Sequence, residues 1–141
     1  MTDKSKVSFG LADIARLDFR TSRAGDAATA SIQRELELSF RYQPARLALG
    51  RSLGIATQPT PVDNFDGRAI RGETLFGLAP DEIGMWFSLI AEHAGVAPDR
   101  RALQELVAAH WARGAGLLWD GLRDAKNKSE FLAEQLLRER R

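Results

Sequence analysis

The sequence predicts a mainly α-helical, compact domain that begins with a short strand. Apolar residues recur at helical spacing in five segments of the 141 residues, which is typical of amphipathic helices. Residues 14–22 instead alternate, with Leu17, Phe19 and Thr21 on one side, as in a strand with one buried face. Proline and glycine separate the periodic segments and mark where helices begin and end.

A helix is predicted directly after the strand. Asp26 can cap this helix, whose apolar positions Ile32, Leu36 and Phe40 repeat every four residues. We expect the helix to end near Arg41, before the next proline in the sequence. A second amphipathic segment follows directly, so the predicted order of the first three elements is strand, helix, helix.

The second helix is bounded by proline and glycine. Pro44 suits its first turn, Gly54 suits a left-handed stop, and the predicted buried side carries Leu47, Ala48 and Leu53. Residues 55–72 are rich in proline, glycine, asparagine and aspartate, which predicts an irregular excursion with at most one weak hairpin. A loop of this length is often functional.

Three further helices are predicted in the second half of the chain. Pro80 opens one that Gly95 ends, Pro98 starts the longest, and the tail from residue 127 forms the last. Gly114 and Gly116 each cost the longest helix about 1 kcal/mol relative to alanine. Their presence predicts close approach of another backbone, from a neighbouring helix or a second copy of the chain.

The domain boundaries follow from charge and periodicity. We expect a charged N-terminal extension of residues 1–14, a helical domain of residues 15–126 and a basic helical tail of residues 127–141. The chain contains no cysteine, which excludes disulfides, thiolate metal sites and cysteine nucleophiles. Charged residues interrupt the first apolar stretch, so we expect neither a signal peptide nor a membrane span, and a cytoplasmic location.

The net charge of +1 conceals an uneven distribution. Residues 1–56 hold nine Lys and Arg against six Asp and Glu, residues 57–99 hold two against seven, and residues 100–141 hold nine against six. The basic ends predict attraction to phosphate, which supplies most of the sequence-independent affinity for DNA. The alternative is that these are ordinary solvated faces.

No conventional active site is predicted. His93 and His110 lie too far apart in the sequence to form a local ligand pair, and no hydrolase, P-loop or dinucleotide-binding motif occurs. His110 lies on a buried stripe and is expected to be a hydrogen-bonded core residue. Asp63, Asp66 and Glu73 match no metal-loop spacing. We therefore expect a protein that is not an enzyme, without a cofactor or metal site.

Arginines of the first third of the chain are the candidate DNA contacts. Arg16 and Arg20 project from the same side of the predicted strand, and Arg23 lies at the turn that follows it. If the strand lies beside a helix N-terminus, Arg20, Ser22, Arg23 and free helix amides together can hold phosphate. The alternative for each arginine is a solvent-exposed salt bridge.

The second helix carries two more candidates. Arg46 and Arg51 are five residues apart, about 140° around the helix axis, so they do not share the centre of one face. The complete set of predicted DNA-binding residues is Arg16, Arg20, Ser22, Arg23, Arg46 and Arg51.

Three short motifs occur in order over residues 15–122: Arg20-Thr21-Ser22 after an aromatic residue, Ala45-Arg46-Leu47-Ala48-Leu49 closed by Ser52-Leu53, and Gly72 to Gly77. Together they resemble the DndE family, the small DNA sulfur modification proteins of bacterial phosphorothioation systems. The resemblance implies a mostly helical protein related to ribbon-helix-helix folds. It also implies that the protein forms a homo-oligomer, for example a tetramer, and that it has no catalytic activity of its own.

The same resemblance implies a ligand and partners. The ligand is duplex DNA, with a preference for nicked DNA, and the partners are the sulfur-transfer and ATPase subunits of the modification system. Arg20 and Arg46 lie within the matching motifs, whereas the other arginines are supported by geometry alone.

Two alternatives remain open from the sequence. A ribbon-helix-helix transcriptional regulator would pair its strand with a second copy and read bases through Arg16, Asp18 and Arg20. A protein-only scaffold would use the acidic middle segment and the helical stripes to hold the modification enzymes.

Overall fold

The computed structural model describes residues 9–124 and 128–139. Within these residues the chain forms seven helices and two short strands. The helices are α1 (Leu11–Arg16), α2 (Arg23–Glu35), α3 (Tyr42–Leu53), α4 (Gly72–Leu75), α5 (Pro80–Ala94), α6 (Arg100–Asp124) and α7 (Lys128–Glu139). The strands are β1 (Asp18–Phe19) and β2 (Ile70–Arg71). The predicted mainly helical class is therefore confirmed.

The strand is much shorter than predicted. Only Asp18 and Phe19 pair, antiparallel to Arg71 and Ile70 respectively, so β1 and β2 form a two-stranded sheet within one chain. Residues 11–16 form helix α1 instead, because the carboxylate of Asp13 accepts the backbone N–H of Gly10 at 2.8 Å and caps the first turn.

Helix α1 crosses the expected boundary after residue 14. Its Ile14 is buried in the core, so the residues on either side of that boundary pack as one unit. The alternating pattern of residues 14–22 is also compatible with a short helix followed by a two-residue strand, because so few residues belong to each element. Residues 1–8 of the expected extension lie outside the described residues.

Helix α2 begins earlier than predicted, because Ser22 rather than Asp26 caps it. The hydroxyl of Ser22 accepts the backbone N–H of Gly25 at 3.0 Å. The carboxylate of Asp26 instead accepts a hydrogen bond from the guanidinium of Arg41 at 2.9 Å. The helix also ends before Phe40, which is 58% exposed rather than part of its buried stripe.

Helix α3 buries part of the side that was predicted, because Ala48 is fully buried and Leu53 is partly buried against the core. Leu47 is instead 48% exposed, and the buried residues of the helix are Pro44, Ala45, Ala48, Leu49 and Ser52. Gly54 has φ −76°, so the predicted left-handed stop is wrong. The left-handed residue in this part of the chain is Glu37, with φ 55°, just after α2.

Helix α6 is the centre of the fold and packs against both α2 and α3. Gly114 of α6 meets α3 so closely that an added Cβ would overlap the carbonyl of Ala48. The close backbone approach predicted for Gly114 is thus confirmed, and a helix of the same chain supplies it. Gly116 has nothing within 4 Å of an added Cβ, so no backbone of the same chain approaches it closely, and approach of a second copy there stays a prediction.

The later helices agree with the sequence pattern. Helix α5 begins at Pro80 and ends at Gly95, whose φ of 80° is left-handed. Helix α6 starts two residues after Pro98, and α7 begins at Lys128 within the predicted tail. Phe131 of α7 is buried in the core. Residue 127 and residues 140–141 of the predicted basic tail lie outside the described residues.

Candidate nucleic-acid interface

The structure brings three of the six predicted residues together. Arg20, Ser22 and Arg23 surround the loop of residues 64–67. The Nη1 of Arg20 donates to the carbonyl of Gly67 at 3.0 Å. The Nη2 of Arg23 lies 3.3 Å from the carboxylate of Asp66, and the Arg23 side chain is 81% exposed. These guanidinium groups therefore lie on the surface beside one loop.

Backbone contacts hold this loop against the segment that carries the arginines. The N–H of Gly67 donates to the carbonyl of Thr21 at 3.0 Å. The side-chain oxygen of Asn64 accepts the backbone N–H of Arg23 at 2.9 Å and that of Asp66 at 3.2 Å. A Cβ at Gly67 would lie 2.8 Å from the carbonyl oxygen of Thr21, so the close approach requires glycine.

The first turn of α2 offers fewer amides than the sequence suggested. The backbone N–H of Arg23 already donates a hydrogen bond to the side chain of Asn64, and that of Gly25 donates to the hydroxyl of Ser22. Ser22 therefore acts as the helix cap, and Asp26 adds a negative charge to the same turn. Guanidinium groups, more than helix amides, are the groups that this surface presents to an anion.

The other three predicted arginines lie elsewhere. Arg16 is exposed at the end of α1 rather than on the strand. Arg46 joins α3 to α4, because its Nε donates to the carbonyl of Leu75 at 2.6 Å and its Nη2 to that of Thr74 at 3.0 Å. Its guanidinium also lies 4.4 Å from the centre of the Tyr42 ring.

Arg51 lies at the far end of α3, close to Arg113 of α6. Burial lowers the pKa of the Arg113 guanidinium, and the nearby positive charge of Arg51 lowers it further. The sequence therefore predicted the grouping of Arg20 and Arg23 with Ser22, whereas Arg46 is hydrogen-bonded to α4.

A cleft of about 380 Å³ opens beside Arg20. Helix α6 forms one wall and is tied to β1 by a hydrogen bond from the Gln104 side chain to the carbonyl of Asp18, at 3.1 Å. Strand β1 and the 64–67 loop form the rest. The lining residues are Asp18, Arg20, Phe65, Arg101, Gln104 and Glu105.

The charged residues that line the cleft are two arginines and two carboxylates. Asp18 has Arg71 3.9 Å away, and Glu105 has Arg101 3.1 Å away, so each lining carboxylate has a guanidinium partner. Arg20 donates its hydrogen bond to a carbonyl and forms no ion pair with a carboxylate among the described residues. The sequence analysis did not identify Phe65, Arg101 or Gln104 as residues of this site. The only sequence features that pointed to them were the long loop and the excess of basic residues after residue 100.

A second polar cluster lies inside the protein, where α3, α5 and α6 meet. His110 and Ser52 are fully buried, with the Nδ1 of His110 2.8 Å from the Ser52 hydroxyl. Arg113 donates to the same hydroxyl at 2.8 Å. The ring of His93 packs edge-on against that of His110 at 4.7 Å, and its Nε2 lies 2.6 Å from the carbonyl of Ile55.

This cluster confirms His110 as a hydrogen-bonded core histidine. Burial, together with the charges of His93 and Arg113, lowers the pKa of His110 from 6.5 to about 4. The two histidines, distant in the sequence, become neighbours only through the packing of α5 on the rest of the core. The Nε2 of His110 and the Nδ1 of His93 are buried without a hydrogen-bond partner in the structure.

Residues 9–124 and 128–139 contain no group of three or more His, Asp or Glu side chains arranged to hold a metal ion. None of the helices in these ranges has the length and apolar character needed to cross a membrane.

No protein-family model matches the chain, and comparisons with curated proteins and with solved structures find no significant match. The resemblance to the DndE family stays a prediction from the three motifs.

Proposed function

We propose that this protein binds double-stranded DNA through arginine contacts to phosphate, as a non-catalytic accessory subunit of a bacterial phosphorothioation system. The supporting observation is a surface that we term the arginine face, formed by Arg20, Arg23, Arg71 and Arg101. Its members border the cleft or the adjoining 64–67 loop. Phosphate contacts of this kind position a protein on DNA without reading its sequence.

The ion pairs of the arginine face are weak enough to exchange for phosphate. Arg23 and Arg101 have side chains that are 81% and 91% exposed, although each has a carboxylate neighbour. Exposed pairs of this kind contribute about 0–1 kcal/mol to stability. A DNA phosphate that approaches either guanidinium therefore competes with an acidic partner that is loosely held.

Binding of DNA is tested by fluorescence anisotropy with intact and nicked duplexes over a salt series. Four phosphate contacts give a slope of log K against log salt of about −3.6, a hundredfold loss of affinity between about 50 and 200 mM salt. The double variant Arg20→Gln, Arg101→Gln is expected to weaken binding and to reduce the slope by about 2.

Arg34→Gln is the matched control for this experiment. Arg34 is also exposed, but it lies at the opposite end of α2 from Arg23, about 16 Å along the helix axis. Its replacement is expected to leave affinity and slope unchanged. Binding that is absent, insensitive to salt, or equal in the double variant and the wild type would refute DNA binding through the arginine face and favour a protein-only scaffold.

The regulator alternative gains no support from the strand. A ribbon-helix-helix regulator pairs its strand with that of a second copy. Strand β1 spans two residues and pairs with β2 of the same chain. We retain the homo-oligomer as part of the proposal, on the basis of exposed apolar residues along and beside α5, namely Leu78, Met85, Leu89 and Val96.

A further inference from the structure

An aromatic side chain stands at the mouth of the cleft. Phe65 is 45% exposed although the loop that carries it is fixed on both sides. Asn64 is hydrogen-bonded to the start of α2, and Gly67 donates its N–H to Thr21. A half-exposed aromatic ring on a loop held by these hydrogen bonds offers an apolar surface to a planar ligand group.

The polar groups around Phe65 suit a nucleotide. Arg20 and Arg101 supply positive charge for a phosphate, and both are lining residues of the same cleft. Asp18 and Glu105 supply carboxylate oxygens, which accept hydrogen bonds from the amino groups of bases. The volume of about 380 Å³ falls within the range of small-molecule pockets.

We propose that the cleft receives one unpaired nucleobase of a DNA strand, stacked on Phe65, with its flanking phosphate held by Arg20 and Arg101. This inference rests on the proposed DNA binding and specifies which part of the DNA the cleft takes. A base inside an intact duplex is covered by its neighbours on both faces, so it cannot stack on a protein ring. A bulged or displaced base exposes a free face for Phe65.

The experiment uses two duplexes that differ in one nucleotide. In the first, a single 2-aminopurine is unpaired as a bulge, and in the second it is paired with thymine. The wild-type protein is expected to bind the bulged duplex about tenfold more tightly than the paired duplex, because one base stacks on one aromatic ring. Stacking is also expected to quench the fluorescence of the bulged 2-aminopurine.

Variants at Phe65 separate stacking from the remaining contacts. Phe65→Leu keeps apolar contacts with the loop, and it is expected to reduce the preference for the bulge to less than twofold while affinity for the paired duplex is retained. Phe65→Trp is expected to keep the preference. Phe40→Leu is the matched control, because Phe40 is an exposed phenylalanine that does not line the cleft.

The outcomes distinguish this inference from the proposed function. Equal wild-type affinity for the two duplexes, or a preference that survives in Phe65→Leu, overturns the base-binding cleft and leaves phosphate binding intact. A wild-type protein that binds neither duplex overturns both. Loss of preference in Phe40→Leu as well as in Phe65→Leu would also overturn the inference, because the effect would then not be specific to the cleft.

Discussion

Acidification from about pH 7.5 to pH 5.0 is expected to destabilise the fold through His110. The buried ring has a pKa of about 4 in the folded protein, against 6.5 for the unperturbed side chain. The folded protein therefore keeps His110 neutral, whereas the unfolded chain takes up the proton first. Stability that is present above pH 6.5 is lost progressively as the pH falls towards 4.

The magnitude follows from the two pKa values. Proton linkage gives a loss of about 2 kcal/mol from His110 at pH 5.0 and about 3 kcal/mol at pH 4.0, relative to neutral pH. Such a loss is a large fraction of the total stability of a small domain, which is about 5–15 kcal/mol. The positive charge of Arg113, whose Nε shares the Ser52 hydroxyl with the His110 ring, acts in the same direction.

The assay is urea unfolding at several pH values, for the wild type and for His110→Gln. Replacement by glutamine removes the titrating ring and keeps a polar group near Ser52. Because the two proteins are identical at every other position, the difference between the two pH profiles isolates His110. The wild type is expected to lose about 2 kcal/mol more than the variant between pH 7.5 and 5.0. Parallel profiles for the two proteins would refute the reasoning.

Two further predictions concern packing and assembly. Gly114→Ala is expected to destabilise the protein by about 3 kcal/mol, because its Cβ would overlap the Ala48 carbonyl, whereas Gly116→Ala, which meets open space, is expected to stabilise it by up to about 1 kcal/mol. Thermal melting of the two variants tests this pair, and equal effects would contradict the packing of α6 on α3. A homo-oligomer is expected in light scattering at micromolar concentration, and Leu89→Glu on the exposed side of α5 is expected to shift it towards the monomer. A wild-type monomer would exclude the oligomer under these conditions.

Local sequence signals predicted the parts of the fold that depend on local chemistry. Pro80 and Gly95 bound α5 because one has the backbone angle of a first turn and the other adopts a left-handed angle. The burial of Phe19 and Thr21 followed from alternation along the chain. Helix α1 was missed because a six-residue helix contains too few turns to establish a period.

The features that depend on distant contacts were not predictable from spacing. Arg46 was predicted to contact DNA because it lies within one of the three motifs. In the structure it donates hydrogen bonds to two carbonyls of α4, which are 28 and 29 residues further along the chain. His93 and His110 lie on different helices, and their rings come into contact only in the folded protein. The cleft likewise combines residues from β1, the 64–67 loop and α6, and no local pattern indicates which of them share a surface.

Thr21, beside Arg20, is anchored from two directions. Its hydroxyl donates to the carbonyl of Ala108 in α6 at 2.8 Å, while its own carbonyl accepts the N–H of Gly67. The backbone beneath the arginine face is thus ordered before any ligand arrives. Under the proposed function, a phosphate that docks on Arg20 would immobilise one side chain rather than a whole segment, so the entropic penalty of association would stay small and the geometry of the bound strand would be set in advance.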